Sequence, residues 1–233
     1  MNRLNHIRSE EKKYHDYCYD NYKLFEQGSW LYKPVQTVMD LLHMVEKDHP
    51  LILDLGCGVG RNSIPLAQAV KPHNGKVICV DLLDSAIVKL NQYRKEFDVE
   101  EEIELHQADI GQYQISTEQY DLIVAVSALE HTASEREFEE VLKRMADGTK
   151  PCGINCLIVN SEMKETDLFT GEELDALMEV NLSTAVMMNN LERAFTGWEV
   201  LRELVKPLVY EIVRGERKVL LETNAITYVV RKS

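Results

Sequence analysis

The sequence has no long apolar run and no apolar start. No segment approaches the ~18 consecutive apolar residues that a membrane span requires. The first residues, 1–13, are polar and charged, unlike a secretory signal. A hydrophobic fraction of 45% and a charged fraction of 28% also exclude a disordered, collagen-like or coiled-coil chain. The 233 residues therefore predict a globular, cytoplasmic protein without membrane contact.

Positive charge is scarce. Lysine and arginine total 26 against 39 aspartates and glutamates, a formal net charge of -13. A negative surface repels phosphate backbones and anionic lipids. The composition therefore favours a small-molecule partner over nucleic acid, although a local basic patch stays open. The oligomeric state is left open between a monomer and a homodimer.

Cysteine is present in an odd number and without a recognisable ligand spacing. Of the five cysteines, only Cys152 and Cys156 lie close together, and their spacing fits neither a zinc knuckle nor a redox pair. The cysteines are predicted to be reduced thiols in a reducing compartment, and no metal is expected.

Short apolar segments alternate with segments of helical periodicity. Apolar runs near 51–53, 76–80, 122–126 and 153–159, with an alternating strand at 103–105, are separated by predicted helices. This order is typical of a Rossmann-like α/β fold with a doubly wound, mostly parallel sheet. The tail contains several extended segments in succession, which predicts an antiparallel C-terminal edge.

The chain is predicted to be one domain, 1–233, in three parts. A helical cap or lid occupies 1–48, and a cofactor-binding core occupies 50–160. The remainder, 160–233, provides a substrate-side segment and the last strands; within it, 172–195 is predicted to be mainly helical.

The strongest local signal is a glycine cluster directly after the first predicted strand. Asp54 precedes Gly56-Cys57-Gly58-Val59-Gly60, and a helix follows. Such a turn lies at the carboxyl ends of the strands, where open α/β sheets bind ligands. The third glycine falls one residue too early for the dinucleotide fingerprint, and the phosphate-loop Lys-Ser/Thr pair is missing. Nicotinamide and ATP binding are therefore disfavoured.

Carboxylates follow the next two strands. Asp81 ends the second strand, about 20 residues after the glycine loop, where an acid can bind ribose hydroxyls. Asp109 ends the third strand, and Asp121 begins the fourth, which ends in Ser127-Ala128-Leu129-Glu130-His131.

This ordered series resembles class I S-adenosylmethionine-dependent methyltransferases over roughly residues 50–160. The pattern Trp30-x-x-x-Pro34, then Gly60-Arg61-Asn62-Ser63, is similar to the tellurite-resistance methyltransferase family. The resemblance implies S-adenosylmethionine as cofactor, with S-adenosylhomocysteine as product. It implies that the following residues bind this cofactor: Asp54, Gly56, Cys57, Gly58, Gly60, Asn62, Asp81, Leu82, Asp109, Ile110 and Ser127.

Within that resemblance, Asp54 supports the loop and the cofactor's amino group, while Asp81 holds the ribose hydroxyls. Leu82 packs against the adenine, Asp109 meets the adenine amine, and the Ile110 amide meets a ring nitrogen.

Three further side chains are predicted to serve the methyl acceptor. Tyr22 and Trp30 belong to an aromatic-rich N-terminal segment that could form a lid or wall the acceptor pocket. His131 lies just past the fourth strand and is the candidate catalytic base, since its ordinary pKa of ~6.5 suits proton transfer. The other six histidines share no ligand spacing.

The sequence therefore predicts a methyltransferase that acts on a small molecule, such as an oxyanion, a thiol or a hydroxyl compound. Ser127-Ala128-Leu129-Glu130 stands where enzymes acting on exposed amino groups carry an Asn/Asp-Pro-Pro-aromatic stretch. Methylation of RNA or protein, a non-catalytic cofactor-binding regulator and a nicotinamide-dependent oxidoreductase remain as alternatives.

Overall fold

The computed structural model describes residues 2–45, 47–215 and 217–233. A mixed sheet forms its centre, with strand order β3-β2-β1-β4-β5-β8-β7; β6 pairs with β5 outside this path. The strands are β1 (Leu51–Leu55), β2 (Lys76–Asp81), β3 (Ile103–Gln107), β4 (Tyr120–Val126), β5 (Thr149–Asp167), β6 (Glu173–Leu174), β7 (Glu199–Arg214) and β8 (Arg217–Arg231).

Helices cover both faces of the sheet. They are α1 (Arg3–Asn21), α2 (Gln36–Met39), α3 (Ser63–Val70), α4 (Asp84–Glu96), α5 (Glu135–Gly148) and α6 (Thr184–Ala194). One apolar core contains side chains of α1, α3 and α4, and the other contains those of α5 and α6. Strands buried on both faces explain the continuous apolar runs of the sequence.

The sheet changes from parallel to antiparallel at β5. Strands β1 to β5 pair in parallel, whereas β8 runs antiparallel to β5 and β7 antiparallel to β8. The predicted Rossmann-like sheet with an antiparallel C-terminal edge is confirmed.

One detail of the sequence prediction is wrong. Of the segment predicted to be mainly helical, only Thr184–Ala194 is a helix; Glu173–Leu174 pairs as a strand with the extended end of β5. In the tail, β7 and β8 form one long hairpin. Strand β7 continues through Pro207 because it lies at the edge of the sheet, where a missing N–H is tolerated.

The described helices include none that is long and apolar enough to cross a bilayer.

Candidate active site

The glycine loop connects β1 to α3 and is held against β2. The amides of Gly56 and Cys57 both donate to the Val80 carbonyl oxygen, at 2.8 and 3.0 Å. Gly56 has a φ of 71°, and a Cβ built on it would lie 2.3 Å from Cβ of Ala128. Only glycine satisfies both the backbone conformation and this contact. The loop therefore fits closely against the end of β4.

Asp54 lies beneath the loop rather than on an open surface. Its side chain is buried and accepts a hydrogen bond from Ser63 Oγ at 2.5 Å, which ties β1 to the first turn of α3. Burial raises the pKa of Asp54 to about 6, although the Ser63 hydroxyl opposes the shift. This placement suits the predicted support of the loop.

Asp81 fixes the loop from the end of β2. Its Oδ2 accepts from the Gly58 amide at 2.8 Å, and its Oδ1 accepts from the Leu83 amide at 2.9 Å. A carboxylate oxygen has two lone pairs, so each oxygen can accept one more hydrogen bond. Burial raises the pKa of Asp81, an effect that the Leu83 and Gly58 amides partly offset. The remaining acceptor capacity suits a ligand's hydroxyl groups.

Asp109 is bridged to the N-terminal helix. Its Oδ1 accepts from the Gly111 amide at 2.9 Å, and its Oδ2 accepts from Arg8 Nη2 at 2.8 Å. Arg8 also approaches Glu179, with Nε 3.8 Å from Oε1. The third strand is therefore joined through Arg8 to the segment before α6.

Glu179 in turn holds His131. Its Oε2 lies 3.0 Å from Nδ1 of His131, and its side chain is 2% exposed. Burial lowers the pKa of His131, but the hydrogen bond to Glu179 and the charges of Glu11 and Glu130 outweigh it and raise this pKa to about 9. His131 is thus an imidazolium at neutral pH, a poor proton acceptor.

One large cavity of about 930 Å³ joins these groups. This volume lies within the usual range for small-molecule sites. Among the predicted cofactor residues, the following line it: Gly56, Cys57, Gly58, Asn62, Asp81, Leu82, Asp109, Ile110 and Ser127. Asp54 and Gly60 support the loop from behind, with Gly60 packed against Leu90 and Ile64.

Ser127 and Asn62 connect the cavity wall to its surroundings. Ser127 has a φ of 49°, and its hydroxyl accepts from Asn160 Nδ2 at 3.3 Å. The Asn62 Oδ1 accepts from the Val35 amide at 2.9 Å, which places the segment after the N-terminal helix over the loop.

The two residues predicted to form a lid, Tyr22 and Trp30, lie in different places. Trp30 lines the cavity, with the Arg61 guanidinium 5.1 Å from its ring centroid. Tyr22 lies instead at the C-terminal end of α1, packed against the core and next to Gly28. The described α1 residues that line the cavity are Arg8, Glu11, Lys12, Tyr14, His15 and Tyr19.

Sequence analysis predicted an aromatic lid from the N-terminal segment, but it did not single out the charged side chains and His15 of α1, or Arg214 at the end of β7. Arg8, Glu11, Lys12, His15 and Tyr19 recur at the three- and four-residue intervals of one helix face. That mixture of charge and aromatic rings was the available signal. Arg214 offered none, because its long-range pairing with Glu11 and Glu165 depends on the path of the hairpin.

The cavity was tested for its fit to S-adenosylmethionine. Gly58 faces the cavity without a side chain, and a Cβ there would lie 3.3 Å from Tyr19 Oη. Asp81 has acceptor capacity for ribose hydroxyls, and Ile110 also lines the cavity. The donor and acceptor set fits the cofactor. In the described part of the chain, no group of three or more His, Cys, Asp or Glu side chains could hold a metal ion.

A family model described as a methyltransferase domain matches residues 52–153. This segment is therefore similar to a methyltransferase domain. The predicted relationship to class I S-adenosylmethionine-dependent methyltransferases is confirmed, and that family implies S-adenosylmethionine as cofactor.

The curated proteins to which the chain is similar are distant. A carboxy-S-adenosyl-L-methionine synthase of Shewanella pealeana is 28% identical over 137 residues, 58% of this chain and 55% of that protein. A 23S rRNA (uracil(1939)-C(5))-methyltransferase of Haemophilus parainfluenzae is 37% identical over 78 residues, 34% of this chain and 16% of that protein. The chain thus spans about half the length of the synthase and about one-sixth of the length of the rRNA methyltransferase.

Among solved structures, TehB from Haemophilus influenzae aligns with a TM-score of 0.63 and 19% identity, covering 94% of this chain and 67% of that one. The fold shared with that protein therefore extends beyond residues 52–153 towards both termini.

Proposed function

We propose that the protein transfers a methyl group from S-adenosylmethionine to a small molecule that carries a hydroxyl or thiol group. The observation that supports this most is the single cavity, because it joins the glycine loop, Asp81 and Asp109 to a second wall from α1 and β7. A methyl donor and its acceptor can occupy such a cavity together.

The cofactor end is built from the first three strands. Asp81 would hold the ribose hydroxyls, Asp109 and Ile110 the adenine, and the Gly56–Gly58 backbone the methionine part. When bound, the cofactor supplies a methyl group activated by a positively charged sulfur. The protein's own contribution is to hold the reactants in line and to exclude water.

The acceptor end is enclosed by α1, which is fastened to the core at several points. Lys12 Nζ donates to Asp84 at 2.8 Å, and Ser85 Oγ donates to Asp16 at 2.5 Å. Arg214 Nη1 donates to Glu11 at 3.0 Å from the end of β7. An acceptor enclosed in this way is small, which agrees with the acidic charge that disfavours nucleic acid.

Three cations of the cavity are already paired: Arg8, Arg214 and His131 each contact a carboxylate oxygen within 3.0 Å. An anionic acceptor beside one of these three would have to displace its carboxylate or share its cation. Arg61, which also lines the cavity, donates instead to the Trp30 carbonyl oxygen at 2.9 Å. A hydroxyl or thiol compound keeps these pairs intact.

Titration calorimetry and labelled methyl transfer test the function. S-adenosylmethionine and S-adenosylhomocysteine should bind, and NAD should not; the reverse would contradict the proposal. With methyl-labelled cofactor and a cell extract, label should enter the small-molecule fraction. Label in RNA or protein would contradict the acceptor class, and binding without transfer would indicate a non-catalytic regulator.

A further inference from the structure

The His15 ring lines the cavity and makes no hydrogen bond within the described residues. Its Nδ1 is buried and has no partner in the described part of the chain. Its Nε2 lies 3.7 Å from Glu11 Oε2, beyond hydrogen-bond distance. The ring is held by aromatic neighbours instead, with centroid distances of 5.4 Å to Tyr14 and 5.9 Å to Trp30. The imidazole is thus positioned by packing, and Nε2, unlike the enclosed Nδ1, is the ring nitrogen left for a ligand.

The two histidines that line the cavity differ in their charge at neutral pH. Burial lowers the pKa of His15, and the positive charges of His131 and Arg214 add to this effect, while Glu11 and Asp16 oppose it. His131 is held as a cation by Glu179. Two titratable groups with environments that separate their pKa values suit different roles in proton transfer.

We propose that His15, and not His131, is the base that removes the proton from the methyl acceptor. This inference rests on the proposed function. The acceptor's hydroxyl or thiol proton moves to the imidazole, and the freed electron pair forms the new bond to the methyl carbon. The bond from that methyl to sulfur breaks, and its electron pair remains on the sulfur. The imidazolium of His15 then releases its proton to water.

Glu11 has a positioning role in this arrangement. Its Oε1 accepts from Arg214 Nη1 at 3.0 Å, while its Oε2 faces His15 at 3.7 Å. The carboxylate can therefore stabilise the imidazolium that forms when His15 takes a proton. Arg214 is itself anchored to Glu165 by two hydrogen bonds, at 2.9 and 3.4 Å. The base is thus supported from β5 and β7.

The experiment combines NMR with labelled transfer. In protein labelled with ¹⁵N-histidine and saturated with S-adenosylhomocysteine, the His15 ring should be neutral at pH 7 and the His131 ring protonated. His15→Gln and His131→Gln assign the signals. His6→Gln is the control, because His6 is an exposed histidine of the same helix.

Labelled transfer to the small-molecule fraction of a cell extract supplies the second measurement. His15→Gln should lower the rate ~100-fold or more, the usual contribution of a general base, and leave S-adenosylhomocysteine affinity within about 3-fold. The residual rate should rise about tenfold per pH unit, as hydroxide replaces the missing base, whereas the wild-type rate levels off.

Three outcomes would overturn the proposal: a protonated His15 ring at pH 7, a His15→Gln rate close to that of wild type, or parallel pH profiles for the two proteins. The NMR measurement of the His15 ring tests the proposal even if no acceptor in the extract is methylated. Failure of the wild-type chain to bind S-adenosylhomocysteine would instead contradict the proposed function, and the calorimetry separates the two cases.

Discussion

Arg8 Nη2 donates to Asp109 Oδ2 at 2.8 Å, so the N-terminal helix is joined directly to the residue predicted to meet the adenine. Both side chains are about one-quarter exposed, at 27% and 22%. The pair is partly shielded from water and shares a network with Glu179, unlike the open surface pairs that contribute ~0–1 kcal/mol. We therefore expect the position of α1 and ligand binding in the cavity to be coupled through this contact.

Arg8→Gln should loosen α1 without unfolding the core. The change removes the contact to Asp109 and the charge beside Glu179, whereas the pair of Lys12 with Asp84 remains. Hydrogen exchange should become faster in residues 3–21 and unchanged in β1 to β4. Lys13→Gln is the matched control, since Lys13 is 69% exposed and pairs with Glu10 only across one helix turn. Equal exchange in both variants would contradict the coupling.

Asp81→Ala should weaken binding of S-adenosylhomocysteine by ~10- to 100-fold. The side chain holds the Gly58 amide and is predicted to accept from the ribose, and hydrogen bonds to charged groups contribute ~1.5–3 kcal/mol. Titration calorimetry measures the loss. Asp98→Ala is the control, because that carboxylate is 97% exposed and lies outside the cavity lining. An unchanged affinity for Asp81→Ala would remove this residue from the cofactor site.

Asp54 should make the protein less stable as the pH rises from about 4 to about 6. Its pKa is raised from 3.8 to about 6 by burial, so the folded state binds the proton more tightly than the unfolded state. Folding is then favoured at low pH, and this contribution is lost as the carboxyl ionises. Urea unfolding of wild type and Asp54→Asn across this window measures the difference. The Asp54→Asn variant should lack this decrease in the free energy of unfolding with pH.

The sequence allowed the cavity wall at the glycine loop and the strand ends to be predicted because its residues follow local rules. Gly56 and Gly58 lie between a strand and a helix, and Asp81 and Asp109 follow the next two strands. The carboxyl ends of parallel strands meet at one edge of a sheet, so the positions alone imply proximity. Nine of the eleven predicted cofactor residues line the cavity.

The second cavity wall, which is proposed to bind the acceptor, could not be predicted in the same way. Its residues come from α1, from the segment before α6 and from β7, and they meet only through contacts such as Arg214 with Glu11, 203 positions apart. The histidine that the sequence favoured, His131, proves to be paired with Glu179, 48 positions away. Spacing along one chain carries no information about such a pair.

The ion pair of His131 with Glu179 should stabilise the fold at neutral pH and lose that effect in alkali. The pKa of His131 is raised from 6.5 to about 9, so the contribution is complete below pH 6.5 and is lost as the pH rises through about 9. Glu179→Gln should reduce the melting temperature at pH 6 and approach wild type near pH 10. A constant difference across this range would contradict the pairing.

Gly56→Ala should destabilise the loop, and Ala128→Gly should partly restore it. The new Cβ would lie 2.3 Å from Cβ of Ala128, on a backbone with φ of 71°. Overpacking costs ~1–3 kcal/mol, and the left-handed conformation costs alanine a further ~1–2 kcal/mol. Removing the Ala128 methyl relieves the clash but not the backbone strain, so the double variant should melt between Gly56→Ala and wild type. If Ala128→Gly lowers the melting temperature by the same amount in both backgrounds, the two positions do not interact, and the close fit of the loop to the end of β4 is wrong.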